Sequence, residues 1–252
     1  TGWEGRAYDR ENRPQTYLTY PDALARVELG EPVFPTPTPL WDALAQRRSK
    51  RNFLDENLSL NELNILLWAT QGVTADMGDY QLRTAPSAGA LYPVETYLVV
   101  SRVDGLEPGL YHLDVKGWAL EALRLEDLSD EVCRVLFDQE MTRAAGVNFL
   151  WTAVVERCRA KYYERAYRYV WWDSGHISQN LSLAATALGL GVCCIGAWHD
   201  NLLHELVGID GEQHFGVMTA TVGRIEGKDW LADRRGPPKN RVLNTGETSG
   251  GG

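Results

Sequence analysis

The sequence predicts an α+β fold. Helical patterns span more residues than strand patterns, and the strands do not alternate with helices in the regular series that builds a doubly wound parallel sheet. Of 252 residues, 44% are hydrophobic and 23% charged, which is ordinary for a globular chain with a real core. The length fits one domain with appendages better than two domains.

The elements follow in order. Residues 1–38 lack clean periodicity and contain Tyr8, Tyr17 and Tyr20 before Pro32, Pro35, Pro37 and Pro39. Closely spaced prolines favour an extended path, so 1–38 is expected to be an extended N-terminal arm. The main domain is placed at 39–245. Pro39 suits the first turn of a helix running to about Lys50. Ser59 and Glu62 form a capping box opening a helix over Leu63–Thr70, and Gly72 closes it. Val94–Val100 is a strand, and Gly109–Asp114 with Trp118–Leu123 is a hairpin. Ser129 is expected to cap a helix reaching Phe137. Val147–Val155, apolar and β-branched, reads as a buried strand. Arg159–Leu188 is the longest predicted helix, with apolar positions at Tyr169, Trp172, Ile177, Leu181, Ala184 and Leu188. Gly191–Trp198 and Gly216–Gly223 are strands separated by a helix near Asn201–Val207. Small, polar residues 246–252 are expected to form a disordered tail.

Several function classes are disfavoured. The net charge of −9 opposes non-specific binding to nucleic acid or to an anionic membrane. No apolar run approaches the ~18–20 residues needed to span a bilayer. No signal-peptide pattern opens the chain, so the expectation is a cytoplasmic protein. Four cysteines in this length do not make a disulfide scaffold. The histidines lack metal-ligand spacing, and no metal site is expected. Serine-hydrolase, P-loop and dinucleotide-binding motifs do not occur.

Against the acidic total stands Arg47-Arg48-Ser49-Lys50-Arg51. A phosphate dianion wants several charge-assisted donors, and Arg supplies them in a planar fork. The same cluster also reads as a solvated helix end, where cations favour the dipole. Between Pro86 and Pro93, the small residues Ser87, Ala88, Gly89 and Ala90 let the backbone approach a flat ligand, or simply make a tight connection. In Gly189–Trp198 a helix ends at glycine and a short strand ends at Gly196. This suits a backbone N–H presented to an acceptor beside Ile195, or a helix cap and core strand. Cys193 and Cys194 point to opposite faces of that strand and read as buried fillers. Lys239 and Arg241 form a late basic pair, either surface charge or part of a phosphate site. Lys161-Tyr162 is expected to open the long helix. A lysine beside a phenol favours the phenolate, and either group then supplies a base near neutral pH; an exposed first-turn pair is the bland alternative.

Taken in order, these segments resemble the nitroreductase superfamily, and within it the SagB-type dehydrogenase branch that includes azoline oxidases. The resemblance covers roughly residues 40–245. It rests on Arg47–Arg51, on Ala85 to Glu95, on Gly105-Leu106-Glu107-Pro108-Gly109-Leu110-Tyr111, on Lys161-Tyr162 with Gly175 to Leu181, and on Gly189-Leu190-Gly191 with Ile195-Gly196. It implies a central, mainly antiparallel sheet flanked by helices, FMN as cofactor, and a homodimer with its sites at the subunit interface. Arg47, Arg48, Ser49 and Arg51 would hold the FMN phosphate and ribityl chain, joined by Lys239 and Arg241. Pro86, Ser87, Ala88 and Gly89 would approach the flavin from the partner subunit, and Ile195 and Gly196 would back the ring. Lys161 and Tyr162 match a catalytic pair of that branch. Ala90 stands where many simple nitroreductases carry an amide, which moves the expectation away from plain nitroaromatic reduction.

The function this implies is an FMN-dependent dehydrogenase or oxidase that converts a thiazoline or oxazoline to the azole in a peptide-derived substrate, with dioxygen reoxidising the flavin. The alternatives are an NAD(P)H-dependent nitro- or quinone reductase and a non-catalytic subunit of a peptide-modifying complex. A cyclising enzyme is the partner this branch implies.

Overall fold

The computed structural model describes residues 14–78 and 80–227. The expected tail at 246–252 lies outside the described residues. The described chain runs β1 (Ala25–Glu28), α1 (Leu40–Gln46), α2 (Leu60–Gln71), β2 (Val73–Asp76), β3 (Gln81–Arg83), β4 (Val94–Val100), β5 (Gly109–Asp114) and β6 (Ala119–Arg124). It continues with α3 (Ser129–Val135), α4 (Glu140–Ala144), β7 (Val147–Val154), α5 (Glu156–Tyr162), α6 (Ala166–Ala187), β8 (Gly191–Ile195), α7 (Asp200–Val207) and β9 (His214–Gly223). Seven strands form one sheet in the order β1-β6-β5-β4-β7-β9-β8. Every pairing in it is antiparallel. The α+β expectation holds, and the sheet is flanked by helices.

Helices cover both faces, and β4 shows how. Val94, Leu98 and Val100 pack with Leu63, Leu66 and Leu67 of α2 and with Ile177 and Leu181 of α6. Tyr97 and Val99 face the other way, among Val132 of α3 and Leu203 and Leu206 of α7. This is the period of two that a pleated strand imposes. With both faces covered, all seven residues of β4 are buried, including Glu95 and Thr96.

The capping box forms as read: Glu62 N–H donates to Ser59 Oγ at 3.2 Å, and Ser59 N–H donates to Glu62 Oε2 at 2.8 Å. Gly72 N–H closes α2 on the Trp68 carbonyl. Within the expected arm 1–38, β1 is an edge strand paired with β6. Tyr17 bonds Gln81, and the Tyr20 hydroxyl lies 2.6 Å from that of Tyr97. Helix α1 ends at Gln46, not near Lys50, because the chain turns extended at Arg47 and Lys50 N–H donates to the Val192 carbonyl of β8. Ser129 is the first residue of α3; Leu128 occupies the cap. The expected helix Arg159–Leu188 is two helices, broken at Tyr163, whose φ is 51° and ψ −135°. That backbone state is rare without glycine and costs of order 1–3 kcal/mol, so the surrounding packing must impose it.

Candidate active site

The loop between β3 and β4 is held from within. Ser87 Oγ donates to Asp173 Oδ2 on α6 at 2.5 Å and accepts the Tyr92 N–H at 2.9 Å. Ala88 N–H donates to the other Asp173 oxygen at 3.3 Å. Asp173 is buried, and burial raises its pKa against the lowering effect of these donors. The Ser87 hydroxyl is thus committed to shaping its own loop. The loop turns through positive φ at Gly89 (64°) and at Ala90 (53°). Pro86 is exposed on it.

The Lys161-Tyr162 pair arrives at that loop. It ends α5 rather than opening the long helix. A Cβ built on Gly89 would stand 2.7 Å from the Tyr162 hydroxyl and 2.8 Å from Lys161 Nζ. A side chain here would push the ends of both groups aside, and glycine also suits the positive φ. Lys161 Nζ lies 5.3 Å from the Tyr162 ring centre. Tyr162 meets Tyr169 edge to face at 4.6 Å, and Tyr169 meets Trp172 likewise at 5.5 Å. An aromatic row thus leads from the pair to Trp172, which is exposed.

The basic segment is built on the far edge of the sheet. Ser49 bridges Val192 of β8 in parallel fashion. Ser49 and Arg51 act on the Cys193 thiol and Arg47 on the Cys194 thiol, though burial dominates and raises both thiols. Arg48 is placed differently from its neighbours. Its guanidinium donates to the carbonyls of Ala45 and Arg47, closing the end of α1. Arg48 and Lys50 line a separate cleft of about 390 Å³ with Pro37, Asp42, Leu190 and Ile225. There burial, and secondarily Arg48, lowers the Lys50 pKa to about 8. Cys193 is buried but Cys194 is exposed, which corrects the reading of both as fillers. Ile195 is buried at the end of β8, and Gly196 beyond it is exposed with open space where a Cβ would stand. Lys239 and Arg241 lie outside the described residues.

Helix α6 separates these two groups. Asp173 holds the loop, while Ser182, nine residues on, touches Cys194. Nine residues of α-helix advance about 14 Å and turn about half a circle beyond whole turns. The Gly89 loop with Lys161 and Tyr162 therefore sits on one side of α6, and the basic segment with Gly196 on the other.

Sequence reasoning missed the buried charges beside the loop. Glu95 on β4 faces Arg157 of α5 and His112 of β5. Burial raises the Glu95 pKa, but Arg157 and His112 outweigh it and bring it down to about 2. A single acidic residue inside an otherwise apolar strand was the available signal. Asp173 had none, since one aspartate on a long helix reads as surface.

The fold and these two groups together define a class, the nitroreductase fold. Residues 44–224 match the nitroreductase family model, and the chain belongs to the nitroreductase family. The chain is 35% identical over 185 residues to MJ1384 of Methanocaldococcus jannaschii, spanning 73% of this chain and 90% of that protein. It is 35% identical over 148 residues to the trifolitoxin-processing protein TfxB of Rhizobium leguminosarum bv. trifolii, spanning 54% of this chain but 39% of TfxB. Among solved structures, a protein from Anabaena variabilis superposes with a TM-score of 0.71 at 29% identity, covering 83% of this chain and 44% of that one. A chain of the E. coli microcin synthetase McbBCD complex, bound to truncated pro-MccB17, shares the fold with a TM-score of 0.61 at 22% identity, over 86% and 80% of the two chains. Among the described residues no helix is long and apolar enough to cross a membrane.

Proposed function

We propose that this nitroreductase-family protein is an FMN-dependent dehydrogenase of the SagB type that oxidises an azoline ring in a peptide-derived substrate. The observation that carries the reading is the meeting of Lys161 and Tyr162 at Gly89, on the small-residue loop suited to lie against a flat ring. The similarity to a trifolitoxin-processing protein supports a peptide-derived substrate, and the resemblance to the SagB-type branch a cyclising-enzyme partner.

The residues fit FMN. Arg47, Ser49 and Arg51 offer charge-assisted donors of the kind a phosphate takes, and Gly196 leaves open space at the strand end where a ring edge would rest. Bound FMN supplies the acceptor for a hydride, the second of the two hydrogens an azoline loses on becoming an azole. The chain's own part is the first. Tyr162 Oη, with Lys161 Nζ beside it, takes the proton from the ring carbon, and Gly89 leaves the space in which both act. The Tyr169–Trp172 row gives a planar ring an aromatic surface to lie on.

Because the two groups of residues lie on opposite sides of α6, a complete site takes the basic segment from one protomer and the Gly89 loop with Lys161 and Tyr162 from its partner. The protein acts on this reading as a homodimer. The first test is the absorbance spectrum of the purified protein, then incubation with azoline peptides. A yellow protein whose product is lighter by two hydrogens supports the reading. Bleaching by NAD(P)H and reoxidation by a nitroaromatic, with no change in azoline mass, indicates a reductase instead. A colourless protein that takes up no FMN indicates a non-catalytic subunit.

A further inference from the structure

Arg157 stands one helical turn before Lys161 on α5 and is 2% exposed. Its guanidinium joins three parts of the chain. Nη1 donates to the Tyr92 carbonyl at 3.1 Å and pairs with Glu95 Oε1 at 2.5 Å, while Nε donates to the Gln15 carbonyl at 2.6 Å. Tyr92 lies just after the turn that carries Gly89, and its own N–H is held by Ser87. The same side chain therefore fixes α5 to the loop that α5 must meet.

Glu95 is in turn fixed from behind. Its second oxygen lies 3.1 Å from His112 Nε2, and His112 Nδ1 lies 3.0 Å from Glu121 Oε2. Arg26 of β1 pairs with Glu121 at 3.2 Å and with Asp114 at 2.8 Å. The row of alternating charges crosses β4, β5, β6 and β1 and ends at Arg157. A buried ion pair is a poor source of stability, since apolar residues of like volume often do as well or better. What it supplies is direction: a planar fork donates to a carboxylate and a carbonyl in one orientation only.

We propose that Arg157, oriented by Glu95, is a positioning residue that sets α5 against the Gly89 loop and thereby places Lys161 Nζ and Tyr162 Oη. The proposal deepens the reading of Lys161 and Tyr162 as the proton-removing pair and rests on it. Two variants test it. Arg157→Lys keeps the charge and loses the fork. The double variant Glu95→Gln with Arg157→Met leaves neither member of the pair as a lone buried charge, and it stands in if the first does not fold. The readouts are the acylation rate of Lys161 by acetic anhydride, followed by peptide mass spectrometry with exposed Lys116 as internal reference, and kcat and KM on an azoline peptide. Misplacing a catalytic group by about an ångström costs up to about a hundredfold, so kcat should fall about tenfold or more with KM within about twofold and FMN retained. Lys161 acylation should change by about threefold or more relative to Lys116 in FMN-loaded and FMN-depleted protein alike. A folded variant with wild-type Lys161 acylation and wild-type kcat overturns the proposal, even if its melting temperature falls. If Lys161→Ala itself keeps full turnover, the functional reading fails instead, while the acylation profile still judges what Arg157 positions.

Discussion

Lys161 and Gly89 face each other so closely that a methyl group on Gly89 would stand 2.8 Å from the lysine Nζ. The contact joins the end of α5 to a loop far away in sequence, and it also brings in the Tyr162 hydroxyl at 2.7 Å. Replacing Gly89 by Ala tests it. The substitution forces a Cβ onto a backbone at φ 64° and displaces both side chains. It should cost about 1 kcal/mol or more of stability. Turnover should fall about tenfold or more through misplacement of the pair. A melt and a steady-state assay check both; unchanged turnover would show that the contact has no part in the chemistry.

The basic cluster separates into two roles. Arg51→Ala and Arg47→Ala should each weaken FMN binding by about 10- to 100-fold, the weight of a charge-assisted hydrogen bond. Arg48→Ala should leave FMN affinity within about threefold, because its guanidinium is spent on the carbonyls that end α1. Fluorescence titration with FMN distinguishes the three. An Arg48→Ala loss equal to that of Arg51→Ala contradicts the assignment.

Half-sites on opposite sides of α6 predict complementation. At FMN concentrations too low to load Arg51→Ala, that variant and Lys161→Ala are each expected to be inactive alone. Mixed protomers place the intact basic segment of one beside the intact Lys161 of the other in one of the two sites of each heterodimer. Random mixing should restore about a quarter of wild-type activity. Co-expression followed by an activity assay gives the answer, and no recovery in a mixed dimer means that each chain builds its own site.

Acid should unfold the protein partly through His214. Burial lowers its pKa to about 4, with nearby Arg157 and His112 adding to the effect, and its Nε2 lies 2.6 Å from Thr152 Oγ1. The folded state holds it neutral while the unfolded chain takes a proton below about 6.5. Its contribution is therefore complete above 6.5 and is lost as pH falls from there through about 4, on the order of 2–3 kcal/mol. Glu95 behaves alike in a lower window, from its ordinary 4.5 down through about 2. His112 has the opposite sign: burial lowers its pKa, but Glu121 and Glu95 outweigh that and raise it. Its contribution is complete below 6.5 and is lost as pH rises through the raised value. Denaturant unfolding from pH 7 to pH 4 should show the His214 slope, and His214→Gln should flatten it.

The sequence made the frame legible wherever local chemistry determines structure. The Ser59–Glu62 box, the strand Val94–Val100 and the hairpin from Gly109 are local patterns, and they appear where they were read. What it hid depends on distant partners. The break at Tyr163 has no glycine or proline to announce it. The end of α1 at Gln46 follows from pairing with Val192, and β1 from pairing with β6. At the candidate site, the directions of the side chains were not legible. Arg48 and Ser87 both turned to the protein's own backbone or side chains. Asp173 and Arg157, which hold the loop, drew no attention because a lone charge in a helix is ordinarily at the surface.

The most direct measurement is the mass change of an azoline peptide incubated with wild type, Lys161→Ala and Tyr162→Phe, each first shown to carry FMN by its spectrum. Wild type should remove two hydrogens from the ring, and both variants should stay yellow while leaving the peptide mass unchanged over the same time. Full conversion by both variants would contradict the account, because Gly89 would then face two side chains with no part in the reaction.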